Sequence, residues 1–306
     1  MQALFIGQTY IDVTFLTDRM PTGDEKHVAS AYAVSFGGNA VTAAFCCAKL
    51  GIVPDLLATV ADDWLGRMFL DMAARYGIPV HARKVKTSSL SFIMPNDGKR
   101  AIVRCRDDDY LHPFPILHLS GCRALHLDGP QPDAAIHYAK QCREAGIFTS
   151  LDGGGLRSNT HELLAFIDVA LVAERLCQQM EYKPAGMLDY LKGRGCRIGG
   201  VTLGERGLVW YDEKGAVRTL PGYGRIASLI RAAPETCFTA PTSIHTLPIR
   251  PKIGRSIFAS HERQPHSRSS ILAMRQACRP WPKSPPSTTS ASPQPDSSKP
   301  RLRSAS

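Results

Sequence analysis

The chain has 306 residues, 43% of them hydrophobic, with a formal net charge of +10, and it is long enough to bury a substantial core. That charge is confined to one end: residues 1–220 carry 24 Lys+Arg against 24 Asp+Glu, and residues 221–306 carry the remaining 13 against 3. A basic segment of this kind attracts polyanions only weakly and in a salt-sensitive way, which argues against specific nucleic-acid recognition.

The opening run Ala3 to Gly7 reads as a buried strand that delivers its carboxyl end to a loop, with Asp12 shortly beyond it. GNAVTAAFCCAKLG, from Gly38 to Gly51, is opened by a Gly-Gly-Asn turn and closed by glycine, the marks of a buried helix. Val53 to Val60 predicts a strand and Asp62 to Tyr76 an amphipathic helix stopped by Gly77. From Ser88 to Arg106 two β-like runs flank Asn96-Asp97-Gly98, a hairpin signal that interrupts the alternation. Alternation resumes with a strand at Ala124 to Leu127, a helix at Asp133 to Ala145, a strand at Phe148 to Asp152 and a helix at Glu162 to Ile167. A strand at Asp168 to Val172, a helix at Leu188 to Lys192, a strand at Ile198 to Leu203 and a hairpin from Gly207 to Val217 follow. Such alternation implies an α/β fold with a mostly parallel sheet covered on both faces, and ligands at the carboxyl ends of its strands.

Asp12 and Gly37-Gly38-Asn39 are predicted to meet at that rim. A carboxylate beside an amide and exposed backbone N–H groups suits a polyhydroxylated ligand; taken singly, an Asp after a strand also forms turns and Gly-Gly-Asn also caps helices. His126 and Asp128, alternate residues at a strand end, are placed to enter the same cleft, although most of the ten histidines are read as structural. Asp107-Asp108-Asp109 reads as a solvated loop, since three consecutive acids do not converge on one point. Lys183, Arg194 and Arg197 read as surface charge.

Gly7 with Asp12, GGNAVTAAFCCAKLG, VADDWLGRMFLDMAARYGI, the hairpin, LDGGG at Leu151 and VTLGERG at Val201 together resemble, in order, the ribokinase-like, PfkB-type carbohydrate kinases. The resemblance implies a ribokinase-like fold with a small β-lid from about 12–36 and 88–106, within a kinase domain over residues 1–220. It implies ATP and Mg²⁺, a sugar bound by Asp12, Gly37, Gly38 and Asn39, and a nucleotide facing Thr202, Gly204 and Gly207. The family's N-x-x-E motif is replaced by Ala173, Glu174, Arg175, Leu176, and Glu174 is the nearest carboxylate. A homodimer through the β-lid is a further expectation.

Phosphoryl transfer to an alcohol needs a base on the hydroxyl and N–H groups around the phosphate. The family supplies both in D-T-x-G-A-G-D at a helix N-terminus, a motif missing after Leu220. The codons for Ile230 to Thr242, IRAAPETCFTAPT, read one base earlier permit D-T-S-G-A-G-D-V-F-H-G-A-Y. In the same shifted frame Ile257 to Pro265 permits H-F-R-F-A-R-A-A-A, and Ala273 to Arg279 permits G-N-E-A-G-L-P. The expectation is that residues from between Leu220 and Leu229 onward are out of frame, leaving a basic, Pro/Ser-rich and disordered tail over 221–306, an incomplete C-terminal part and no catalytic Asp. The chain then reads as an impaired sugar kinase; the alternatives are a sugar-binding pseudokinase and a non-functional relic.

Nine cysteines, an odd total without a CxxC pair, describe neither a disulfide framework nor a zinc site. With no basic n-region and no run of about 18 apolar residues, the chain is expected to be cytoplasmic and neither secreted nor membrane-spanning.

Overall fold

The computed structural model describes residues 1–96 and 99–222, with the side chains of 95–100 excluded. The expectations for 221–306, disorder and an out-of-frame origin, lie outside these residues from 223 onward, as does the tip of the predicted hairpin.

A nine-stranded sheet runs in the order β13-β12-β11-β10-β9-β8-β1-β4-β5. Seven of its strands, β1 (Ala3–Gly7), β4 (Pro54–Ala61), β5 (Val80–Val85), β8 (Ala124–Leu127), β9 (Phe148–Gly153), β10 (Val169–Ala173) and β11 (Ile198–Thr202), are parallel, with β5 at one edge. β12 (Leu208–Tyr211) and β13 (Val217–Leu220) add an antiparallel hairpin at one edge. Strand periodicity divides the core. Leu4 and Ile6 enter a cluster with α3 (Pro132–Glu144), α4 (Thr160–Leu163), α5 (Glu174–Gln179) and α6 (Pro184–Gly193). Ala3 and Phe5 enter a second cluster with α1 (Asn39–Lys49) and α2 (Trp64–Arg75) on the opposite face. The predicted doubly covered sheet is therefore present from β4 to β8. The second cluster ends at Ala124 and Phe148 and holds no residue of β10, β11 or β12.

Local chemistry fixes the element ends. The Asp63 side chain caps α2 by accepting from Gly66 N at 2.8 Å, and Gly77 leaves the helix with φ +65°. The predicted helix at 188–192 begins earlier because Pro184 occupies its first turn. The predicted helix at 162–167 is a single α-turn followed by a 3₁₀ turn, Leu164–Phe166.

The lid is a second sheet in the order β3-β2-β6-β7, built from β2 (Tyr10–Leu16), β3 (Ala31–Gly37), β6 (Leu90–Asn96) and β7 (Lys99–Cys105). Asp12 thus lies within a lid strand rather than in a loop after β1, because the chain resumes extended structure at Tyr10 and pairs with both β3 and β6. Gln8 fastens the lid base: its Nε2 donates to Ser89 Oγ at 3.1 Å and to the Asp107 carbonyl at 2.8 Å. Among the described residues no helix is long and apolar enough to cross a membrane.

Candidate active site

The carboxyl ends of β1, β8 and β9 open under the lid, and glycine backbone lets acidic groups approach closely. A Cβ on Gly37 would lie 2.2 Å from Asp12 Oδ2, so the Asp12 carboxylate occupies the space a side chain would fill. Gly38 has φ +101°, and a Cβ there would meet the Gln8 carbonyl at 2.0 Å; only glycine turns the chain from β3 into α1 at this point. Asn39 opens α1, and its Nδ2 donates to Asp152 Oδ2 at 3.2 Å. The predicted convergence of Asp12, Gly37, Gly38 and Asn39 is present, with Asp152 from the end of β9 joined to it.

Asp128 follows β8 directly. Its carboxylate lies over Gly7, where a Cβ would stand 2.7 Å from both oxygens, and Oδ2 accepts from Ala40 N in the first turn of α1 at 3.0 Å. Burial pushes its carboxyl up to about 6, while the Ala40 N–H and Arg157 pull in the other direction. Oδ1 is buried and has no hydrogen-bond partner among the described residues. His126, read from sequence as a possible neighbour in the cleft, instead belongs to the sheet interior. It is bonded through Nδ1 to Ser150 Oγ at 2.8 Å and packed 5.6 Å from the Phe5 ring, and burial drives its pKa down to about 4.

At the other end of the crevice, Thr202 closes β11 and the turn Gly204–Arg206 follows. Leu203 N donates to the Gly207 carbonyl at 2.7 Å, and Gly207, at φ +93°, sits where a Cβ would lie 1.9 Å from the Leu220 carbonyl oxygen. Glu174 is the first residue of α5, and Arg206 Nη2 donates to its Oε1, so its carboxylate is not a free strand-end acid. β9, β10 and β11 are adjacent, with Val172 in register with both Gly153 and Val201. Two strand spacings, roughly 10 Å, separate the Asp152 end of the crevice from the Thr202 end.

A profile of the pfkB family carbohydrate kinases matches residues 2–223. The chain belongs to the pfkB family of carbohydrate kinases. This pfkB chain is 26% identical over 184 residues to an ATP-dependent ribose-1-phosphate kinase of Halopiger xanaduensis, a match covering 57% of the chain and 62% of that relative. It therefore spans less than two thirds of the curated relative's length. Its fold is shared with ribokinase from Giardia lamblia (TM-score 0.66, 16% identity, 91% of this chain and 90% of that one). It is shared also with ribokinase from Cryptococcus neoformans var. grubii serotype A in complex with ADP (TM-score 0.56, 17% identity, 79% and 87%).

Within this pfkB chain the acidic triplet is structural: Asp107 accepts from Thr87 N at 2.7 Å and Asp109 N at 2.9 Å, and Asp108 pairs with Arg106 at 2.6 Å. Arg197 pairs with Glu213 at 2.7 Å and Arg194 donates to the His161 carbonyl, in keeping with surface roles. Asp152 and Arg157 were not singled out by sequence; the only signal was LDGGG, which places an acid at a strand end before a glycine turn.

Proposed function

We propose that this chain derives from an ATP-dependent kinase that transfers the γ-phosphoryl group to a hydroxyl of a sugar held by Asp12, Gly37, Gly38 and Asn39. The observation that carries this reading is the Asp12 carboxylate seated against Gly37, beside the Asn39–Asp152 bond, at the carboxyl ends of the sheet. Aligned acids and an amide accept from and donate to neighbouring hydroxyls. Asp128 Oδ1 supplies one more acceptor. The relative named as a ribose-1-phosphate kinase supports a pentose scaffold.

The nucleotide belongs at Thr202, Gly204 and Gly207, with Glu174 beside it. The described residues hold no group of three His, Cys, Asp or Glu suited to a metal, and Glu174 is tied to Arg206. They do not form a Mg²⁺ cage by themselves. The lid favours a homodimer: Val34, Val13, Phe92 and Val103 form one cross-strand row on its outer face, with Val103 65% exposed. Five buried cysteines stand free, which supports the cytoplasm as its compartment.

Turnover by the chain as written is impaired, because the anion hole and base encoded by the shifted frame are absent from it. Loss of a base lowers rate by about 10²–10⁴ and loss of anion-hole donors by a similar factor. Resequencing across the codons for Leu220 to Thr242, followed by expression of both the written and the frame-restored chains, tests this. Phosphoryl transfer by the restored chain alone supports the reading. Turnover by the written chain at the restored chain's rate refutes the impairment, and failure of both chains to bind any sugar or ATP in calorimetry refutes the kinase assignment. Sugar binding without ATP binding favours a pseudokinase.

A further inference from the structure

The turn after β8 fastens itself to β1 at two points. The ladder between the two strands ends where Leu127 pairs with Ile6, and the chain then runs through Asp128-Gly129-Pro130-Gln131 into α3. The Asp128 carboxylate fills the place of a Gly7 side chain. Three residues on, Gln131 reaches back to the same glycine: its Nε2 donates to the Gly7 carbonyl at 2.8 Å and to the Leu57 carbonyl of β4 at 3.3 Å. Gly7 is the last residue of β1, where the chain leaves for the lid. From the other side, Asn159 Nδ2 donates to the Gly129 carbonyl at 3.2 Å. Asp128 is thus carried by a turn that Gln131 ties to β1 and Asn159 ties to the segment after β9.

Gln131 holds this post against its local preferences. Its φ is +56°, a left-handed conformation that glycine adopts freely and a residue with a Cβ does not. The other described non-glycine residue with positive φ, Glu181, is exposed, whereas Gln131 is fully buried. Burial adds a second penalty, because Oε1 has no hydrogen-bond partner among the described residues. Turning the amide over would set Oε1 against two carbonyl oxygens, so its orientation is fixed by the bonds it makes. Glycine would remove the strain, and an apolar side chain would remove the unpaired oxygen. What the glutamine supplies instead is an amide that reaches the end of β1. Its backbone is held for that reach: Gln131 N donates to Tyr110 Oη at 3.2 Å, and the Tyr110 ring lies 3.7 Å from the Arg83 guanidinium.

We propose that Gln131 is a positioning residue of the sugar site, which keeps Asp128 seated over Gly7 by tying the turn after β8 to the end of β1. Being fully buried, it acts through Asp128 and not on the ligand itself. This role rests on the reading of Asp128 as an acceptor for a sugar hydroxyl. Without the amide the turn keeps only its β9-side anchor, and the carboxylate loses its fixed direction.

The test is calorimetric titration of the full chain with ribose, xylose, arabinose and fructose, after thermal melts show each variant folded. The variants are Gln131→Gly, Gln131→Met, Asp128→Asn and the Gln131→Gly, Asp128→Asn double variant. Gln131→Gly removes the amide together with the strain, and Gln131→Met keeps the length and removes the amide. Each should weaken the sugar that the parent binds most tightly by about 5- to 30-fold. In the Asp128→Asn background, Gln131→Gly should change affinity by no more than about twofold, because the ionised acceptor it positions is gone. An equal loss in both backgrounds would mark a general effect on the fold and overturn the positioning role. Unchanged affinity in both Gln131 variants, with binding still weakened by Asp128→Asn, would overturn it and leave the sugar site standing. Binding of none of the four sugars overturns the role and the sugar site together.

Discussion

Replacing Asp128 with Asn should stabilise the protein at neutral pH, and the structure gives the size and the pH window. Burial raises this carboxyl from 3.8 to about 6. The folded protein therefore holds the proton more tightly than the unfolded chain does. The stability this group contributes is full below about pH 4 and lost as pH rises through about 6, a loss of roughly 3 kcal/mol for a shift of about two units. Asn keeps an oxygen to accept from Ala40 N, but its amide brings N–H donors to the position of Oδ1, which has no described partner; that costs about 1–2 kcal/mol. Asp128→Asn should thus be more stable than the parent by about 1–2 kcal/mol at pH 7 and equal or less stable at pH 4. Urea unfolding of both proteins from pH 4 to 7 measures the difference, in which the titration of all other carboxylates cancels. A difference that stays flat across this range, or a variant less stable at pH 7, refutes the argument. The same substitution should weaken sugar binding, because an ionised acceptor kept in a buried site at a stability cost is useful only where a ligand hydroxyl meets it.

Gly37→Ala forces the Asp12 carboxylate from its seat, since the new methyl would lie 2.2 Å from Oδ2; sugar affinity should fall at least about tenfold, and unchanged affinity in calorimetry would show that Asp12 does not bind the ligand. Arg83 is only 4% exposed, spans Asp133 with bonds of 2.5 and 2.6 Å and lies 3.7 Å from the centre of the Tyr110 ring; Arg83→Lys keeps the charge but loses the fork, and should cost roughly 1–3 kcal/mol in urea unfolding.

The parts of the molecule legible in sequence are those whose signal is local. Gly38 needs a positive φ and Asn39 opens a helix, so GGN marks its own geometry, and the hairpin after Ser88 declares itself through alternation around Asn96-Asp97-Gly98. β5 was not legible, because Arg83 and Lys84 break the apolar run; the partners that let Arg83 be buried, Tyr110 and Asp133, lie far along the chain. The six-residue α5 is too short for helical periodicity to register. Asp12 was visible as a rim acid, but its placement in a strand needed the pairing of β2 with β3 and β6.

The second face of the far strands is closed by their own side chains. Ala170, Val172, Val201 and Tyr211 of β10, β11 and β12 enter the first cluster, so the period of two sends Val169, Leu171, Ile198, Leu208 and Trp210 to the opposite face. The second cluster stops at Phe148, yet Val169 and Leu171 are buried. Gly200 makes this possible: a Cβ there would stand 2.7 Å from Leu171 Cδ2, 3.0 Å from Trp210 Cβ and 3.4 Å from Leu208 Cδ1, so the three side chains occupy the space above a strand that presents none of its own at that position.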